Sequence, residues 1–75
     1  MLTNNEILKK LRIALSLKED DIMEILALAH FTFSKAELSA LFRDPSDRRF
    51  RDCGDQFLER FLDGLILKMR GPKTE

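Results

Sequence analysis

The residues best suited to nucleophilic chemistry are a single thiol, Cys53, and a single imidazole, His30. Cys53 precedes a predicted helix, where the helix dipole lowers the pKa of a thiol, and Arg51 is two residues away. A Cys–His pair is therefore formally available, but nothing in the sequence implies a third residue to orient it. One histidine and one cysteine also fall short of the four ligands of a zinc site. We interpret Cys53 as a residue of a helix cap and His30 as the end of a helix.

Two pairs of carboxylates could suggest acid–base catalysis, Asp20 with Asp21 and Asp52 with Asp55. Both pairs fall in the first turn of a predicted helix, where the helix dipole stabilises negative charge. Their position in a helix start accounts for them without catalysis. The sequence therefore predicts a protein that is not an enzyme and that holds no cofactor or metal ion.

Arginines concentrate between the third and fourth predicted helices. Guanidinium groups bind phosphate well, and predicted helices 2 and 3 have the proportions of a helix-turn-helix. However, Asp44, Asp47 and Asp52 alternate with the arginines, and helix 3 exposes no Asn or Gln for reading bases. A salt-bridged surface is the favoured interpretation, and a nucleic-acid-binding domain that uses helix 3 and the loop at 48–51 is the alternative. Its candidate anion contacts are Lys35, Arg43, Arg48, Arg49 and Arg51.

Three Ser/Thr-x-x-Glu boxes predict helix starts at Thr3–Glu6, Ser16–Glu19 and Ser34–Glu37. In such a box the hydroxyl accepts a hydrogen bond from the backbone N–H three residues later, and the glutamate accepts one from the N–H of the cap. Apolar residues at helical spacing follow each box. The sequence therefore predicts three helices, at residues 5–15, at 16 or 18 to 29, and at 35–43.

A fourth helix is the most apolar stretch of the chain, and it begins at Asp52 or Gly54 and ends at Arg70. Seven large side chains form a wide stripe along one side of it. They are Phe57, Leu58, Phe61, Leu62, Leu65, Ile66 and Met69. Because no other segment is as apolar, the rest of a small chain is expected to fold against this helix.

The resulting fold prediction is a compact all-α bundle of four main helices with the long C-terminal helix at its centre. The alternative is a fifth, short helix, which forms if residues 48–51 are helical. Residues 1–71 are expected to form a single helical domain, and residues 72–75 a disordered tail. Gly71 and Pro72 are suited to end the last helix.

Composition places the protein in the cytoplasm and away from membranes. The 75 residues include 13 basic and 13 acidic side chains, so a net charge of zero gives no overall attraction to nucleic acid or anionic lipid. A single cysteine excludes an internal disulfide and fits a reducing compartment. No run approaches the ~18 apolar residues of a membrane span.

An interface is predicted from apolar surface and from one glycine. Gly64 lies in the middle of the long helix, where glycine costs about 1 kcal/mol relative to alanine, and this cost predicts the close approach of another helix. Surplus apolar surface marks partner sites, so we predict a non-enzymatic interaction module that self-associates as a homodimer. The candidate interface consists of Ile13, Phe57, Phe61, Gly64, Leu65, Leu67 and Lys68.

Several contiguous stretches resemble one known family. They are NN at 4–5, LKKLRIA at 8–14, SLKEDDI at 16–22, FRDCGDQFL at 50–58 and FLDGL at 61–65. The chain is similar over nearly its whole length to the YehS-like family, small bacterial cytoplasmic proteins with a domain of unknown function. Members carry two tandem copies of this module, and this chain resembles the second copy. The resemblance implies no catalytic residues. It implies that this chain is either a single-module relative or part of a longer protein. In both cases a face that the sister module normally covers would be bare, and a second copy of the chain or the sister module would cover it.

Overall fold

The computed structural model describes residues 1–70. Within them the chain forms no strand and four helices: α1 (Asn4–Ala14), α2 (Glu19–Leu28), α3 (Lys35–Leu41) and α4 (Asp55–Arg70). The predicted all-α bundle of four helices is therefore confirmed. The described segment between α3 and α4 consists of turns and extended backbone, so a fifth helix does not form there. The predicted domain end at residue 71 and the tail at 72–75 lie outside the described residues.

The core lies between α2 and α4, which make the most extensive helix–helix contact in the described chain. The helix α1 also packs on α4, and α3 packs on α2. Side chains of the size of leucine contribute about 1.5–3 kcal/mol each when they are fully buried, so this cluster provides most of the stability of a small domain. It consists of Leu8, Ile22, Ile25, Leu26, Leu38, Leu41, Cys53, Phe57 and Phe61.

Gly64 lets α2 and α4 approach closely. A Cβ at this position would overlap the carbonyl oxygen of Ile25, and it would lie 2.8 Å from the carbonyl carbon and 2.9 Å from Cγ2 of the same residue. Because the obstacle is backbone, it cannot turn aside as a flexible side chain would. The predicted close approach of another helix is confirmed, and that helix is α2 of the same chain.

Two of the three predicted capping boxes form. The backbone N–H of Glu6 donates to Thr3 Oγ1 at 3.2 Å, and the N–H of Thr3 donates to Glu6 Oε1 at 2.8 Å. Ser34 and Glu37 make the same reciprocal pair at 3.1 and 3.3 Å. Both boxes satisfy N–H groups that a helix start leaves without a partner.

The third predicted box, at Ser16 and Glu19, is wrong. The helix α2 begins at Glu19 after Lys18, and the backbone N–H of Lys18 donates to Asp21 Oδ2 at 2.8 Å. Ser16 instead ends α1, because it has a φ of 53° and its N–H donates to the carbonyl oxygen of Ile13. A residue that closes one helix in the left-handed region cannot also cap the start of the next.

Both α1 and α2 end in a Schellman motif. After α1 the N–H of Leu17 donates to the carbonyl oxygen of Arg12, and after α2 the N–H of Phe31 donates to that of Leu26, both at 2.9 Å. The left-handed position of each motif is usually glycine, yet Ser16 and His30 occupy it here with φ values of 53° and 57°. Each therefore carries backbone strain that glycine would not.

Ser16→Gly is expected to stabilise the protein by about 0.5–1 kcal/mol, because it relieves the left-handed strain at the end of α1. A gain of this size raises Tm by roughly 2–8 °C in a small domain, which thermal unfolding followed by circular dichroism measures. Ser39→Gly is the matched control, since Ser39 is exposed inside α3 and glycine there costs about 0.5 kcal/mol. An unchanged or lower Tm for Ser16→Gly would contradict the assignment of strain.

An asparagine pair ties the start of α1 to the segment before α4. Asn5 Nδ2 donates to the carbonyl oxygens of Leu41 at 3.0 Å and Arg51 at 2.9 Å, and Asn5 Oδ1 accepts from the N–H of Cys53 at 2.8 Å. Asn4 Nδ2 donates to the carbonyl oxygen of Cys53 at 3.1 Å. These bonds supply partners for backbone groups of a segment that has no helix or strand to provide them.

Candidate functional site

The outward face of α4 carries three large apolar side chains. Leu62, Ile66 and Met69 have 38%, 55% and 65% of their surface exposed. Their spacing of four and then three residues aligns them on one side of the helix. The sequence placed all three in the wide apolar stripe against which the rest of the chain is expected to fold, and the structure leaves them exposed. The stripe covers more of the helix circumference than the other three helices cover, so its outer edge stays in water.

The predicted interface residues fall into two groups. Phe57, Phe61 and Gly64 are buried in the core of the chain, so in this fold they support α4 from within. Gly64 is explained by its contact with Ile25, and it therefore does not indicate a second molecule. Because these three residues are buried, a partner molecule could not contact them directly in this fold.

The second group lies at the surface or at its edge. Ile13 is 69% exposed on α1. Leu65 is half-buried against the core, and Leu67 is also half-buried. Lys68 Nζ lies 3.0 Å from Glu24 Oε1, an ion pair that links α4 to α2. The accessible part of the predicted interface is therefore Ile13 on α1, together with Lys68 and parts of Leu65 and Leu67 on α4. The α4 members are close in sequence to Leu62, Ile66 and Met69.

Most of the predicted anion contacts already have carboxylate partners. Asp47 accepts from Arg43 at 3.4 Å and lies 3.8 Å from Arg49 Nε. A hydrogen bond from the backbone N–H of Arg49 lowers the pKa of Asp47, and the charges of both arginines add to this effect. The carboxylate therefore stays ionised at neutral pH, and it competes with phosphate for both guanidinium groups.

The remaining members of this set are distributed over the surface. Lys35 pairs with Asp20 at 3.1 Å, and a hydrogen bond to that carboxylate raises the pKa of Lys35. Arg51 lies 3.7 Å from Glu37. Arg48 is exposed and forms no ion pair within residues 1–70. The geometry matches the salt-bridged surface that the sequence favoured.

Cys53 lies in an environment that opposes nucleophilic chemistry. Burial raises the pKa of its thiol to about 11, and the charge of Asp55 adds to this. The thiol is therefore neutral at pH 7, whereas a reactive cysteine has a lowered pKa. His30 is exposed at the end of α2, and no hydrogen bond joins it to Cys53 in the described part of the chain. The structure does not assemble the formal Cys–His pair.

A groove of about 340 Å³ lies between the first turns of α1 and the segment after α3. Its lining mixes aromatic side chains with charges of both signs, Glu6 and Asp52 against Lys9 and Arg43. No buried side-chain polar atom among the described residues lacks a hydrogen-bond partner. The groove therefore offers shape and balanced charge, but no unpaired donor or acceptor directed at a ligand.

Comparison with known proteins identifies the family. Residues 4–71 match the family model described as "Protein of unknown function (DUF1456)". The chain belongs to this family. It is also 50% identical over 72 residues to "Uncharacterized protein YehS" of Escherichia coli (strain K12), an alignment that covers 96% of this chain and 46% of the relative. The resemblance to the YehS-like family is confirmed, and no solved structure matches.

The DUF1456 chain spans about half the length of the curated relative that it matches. This coverage fits one module of a relative that has room for two. The family description names no activity, and neither does the name of the relative. What the module does therefore has to be inferred from its own surface.

Two further properties of the DUF1456 chain limit the chemistry of that surface. Among the described residues, no group of three or more His, Cys, Asp or Glu side chains is arranged to hold a metal ion. None of the four helices is both long and apolar enough to cross a bilayer. The outward face of α4 is the feature that most needs an explanation.

Proposed function

We propose that this chain is a non-enzymatic interaction module that self-associates, and that the outward face of α4 is its contact surface. The observation that carries the proposal is the alignment of Leu62, Ile66 and Met69 on one side of a helix, all of them substantially exposed. Single exposed apolar residues are ordinary, but a row of them along a rigid helix is typical of a binding surface.

The energy available from this face is large for a small protein. A side chain of this size contributes about 1.5–3 kcal/mol when it moves fully out of water. In a symmetric dimer each residue is buried twice, once in each copy. The zero net charge of the chain removes any long-range repulsion between copies.

The length of the relative, of which this chain covers 46%, supports the same contact surface on α4. The unmatched half of the relative could cover the face that is bare in a single module. In a protein of one module, a second copy of the chain takes that place. Both arrangements use α4 and neither requires catalysis.

Ile66→Glu is the variant that tests this proposal. It removes two isoleucines and places two carboxylates in the dimer, so the Kd is expected to rise at least about 100-fold. Light scattering coupled to size-exclusion chromatography measures the mass, and circular dichroism confirms that the variant is folded. Because Ile66 is exposed, little change in stability is expected.

Leu28→Glu is the matched control, because Leu28 is 40% exposed but lies on α2. This variant is expected to dimerise as the unmodified chain does. Ile13→Glu tests whether α1 contributes to the same surface. A mass that is identical for the unmodified chain, Ile66→Glu and Leu28→Glu would overturn the proposed contact surface.

The nucleic-acid alternative has less support, since Lys35, Arg43, Arg49 and Arg51 all have carboxylate neighbours. It predicts binding to duplex DNA or RNA that weakens steeply as salt is added. The absence of any shift of a labelled duplex at low salt would eliminate it.

A further inference from the structure

We infer that two copies of this chain pair through α4 in antiparallel orientation about a two-fold axis, with Glu59 of each copy beside Arg70 of the other. The inference rests on the proposed function and specifies the partner and its orientation. It is carried by charges that flank the apolar row on α4. Glu59 and Arg70 are both exposed, and neither forms an ion pair within residues 1–70.

Helix geometry places Glu59 and Arg70 on the same flank of the outward face. They are eleven residues apart. At 3.6 residues per turn this separation is within about 20° of three complete turns, and it corresponds to about 16 Å along the helix. By the same rule both residues lie within about 40° of Ile66, so they border the apolar row and not the core.

Antiparallel pairing brings these charges together. A two-fold axis perpendicular to both helices keeps the same flank of each helix on the same side of the dimer. Glu59 of one copy then lies level with Arg70 of the other, and the symmetry repeats the pair. Parallel pairing about an axis along the helices would instead place the same flank of each helix on opposite sides of the dimer, so Glu59 of one copy could not reach Arg70 of the other.

The same register also brings the apolar rows of the two copies into contact. The axis that pairs Glu59 with Arg70 passes midway between them, at the level between Gly64 and Leu65. The two Ile66 side chains are then about 4.5 Å apart along the helix direction, and Leu62 lies within about 1.5 Å of the level of the partner copy's Ile66. Exposed Asp63 lies on the same flank, about 4.5 Å along the helix direction from its copy in the partner, and its repulsion opposes part of the gain from the charge pairs. The two Glu59–Arg70 contacts and the apolar contacts favour the same register.

Charge reversal tests this arrangement. Glu59→Arg leaves only like charges at the two contacts between positions 59 and 70, as does Arg70→Glu, and each is expected to raise the homodimer Kd about 10-fold or more. The double variant restores opposite charges at both contacts and is expected to recover the Kd of the unmodified chain. Both substitutions are at exposed positions, and circular dichroism confirms folding.

Mixing the two single variants is the decisive step. Glu59→Arg carries a basic side chain at both positions and Arg70→Glu an acidic one at both, so every contact between the two variants joins opposite charges. A heterodimer is therefore expected at concentrations where each variant alone is monomeric. Sedimentation velocity of the mixture and of each variant alone measures this.

Two failures are distinguishable. If the unmodified chain dimerises through Ile66 but the mixture stays monomeric, the antiparallel register is wrong and the proposed function stands. If the unmodified chain is a monomer at high micromolar concentration, self-association itself fails, and this inference fails with it.

Discussion

Gly64→Ala is expected to lower the free energy of unfolding by about 2 kcal/mol. The added methyl group would overlap the backbone of Ile25, which cannot turn aside, so the overpacking is expected to cost about 3 kcal/mol, the upper end of the usual range. The better helix propensity of alanine returns about 1 kcal/mol, which is why the expected loss is not larger. In a domain whose core supplies ~3–5 kcal/mol, such a loss leaves roughly 1–3 kcal/mol, so the variant is expected to unfold at a clearly lower urea concentration.

Gly54→Ala is the matched control for this variant. A Cβ at Gly54 meets no atom within 4 Å, and the residue lies just before the first turn of α4. Its stability is therefore expected to stay within about 1 kcal/mol of the unmodified chain. Urea unfolding measures both variants. Equal stabilities for Gly64→Ala and Gly54→Ala would show that α2 and α4 are not in backbone contact.

Asn5→Asp is expected to destabilise the fold by about 2–3 kcal/mol, although the side chain keeps its shape. The substitution replaces the donor of two hydrogen bonds by a carboxylate oxygen that faces the carbonyl oxygens of Leu41 and Arg51. The bond to Leu41 is part-buried, and leaving a buried acceptor unpaired costs about 1–3 kcal/mol, whereas the Arg51 carbonyl is exposed and adds mainly repulsion between oxygens. The position in the first turn of α1 offsets a few tenths of that, because negative charge is favoured there.

The pH dependence of this variant separates charge from geometry. The two carbonyl oxygens oppose the charged form, so the pKa of the new carboxyl is raised in the folded state above its unfolded value of about 3.9. The destabilisation relative to the unmodified chain is therefore full at neutral pH and shrinks as the pH falls below the folded pKa, where the protonated acid can donate again.

Gln56→Glu is the matched control for Asn5→Asp. It makes the same change of amide to acid at an exposed position in the first turn of α4. Its stability is expected to stay within about 0.5 kcal/mol of the unmodified chain. If both variants are equally stable at neutral pH, the hydrogen bonds of Asn5 do not anchor α1.

Local patterns in the sequence predicted most of the fold. Helix starts at Thr3 and Ser34 depend on side chains three residues away, and such contacts are visible in a single stretch of sequence. The failure at Ser16 has a local cause as well. The same serine fits an N-cap and the end of the preceding helix, and Leu17 decides between them by donating back to Arg12.

Contacts between distant segments could not be predicted in the same way. The hydrogen bonds of Asn5 reach residues 36 to 48 positions away, and no periodicity encodes them. Gly64 indicated that a helix passes nearby, but its identity as α2 depends on the assembled core.

The candidate surface was predicted only in outline. The sequence predicted α4 as both core and interface, and the structure buries some of these residues and exposes others. Phe57, Phe61 and Gly64 are buried, whereas Leu62, Ile66 and Met69 are exposed. Counting residues on a helical wheel defines the stripe but not how much of it three short neighbours can cover.

Sedimentation equilibrium of the unmodified chain, from low to high micromolar concentration, tests the central claim most directly. If the outward face of α4 mediates self-association, the weight-average mass rises with concentration from 8.7 kDa toward twice that value. A mass that stays at 8.7 kDa throughout the series would contradict the claim.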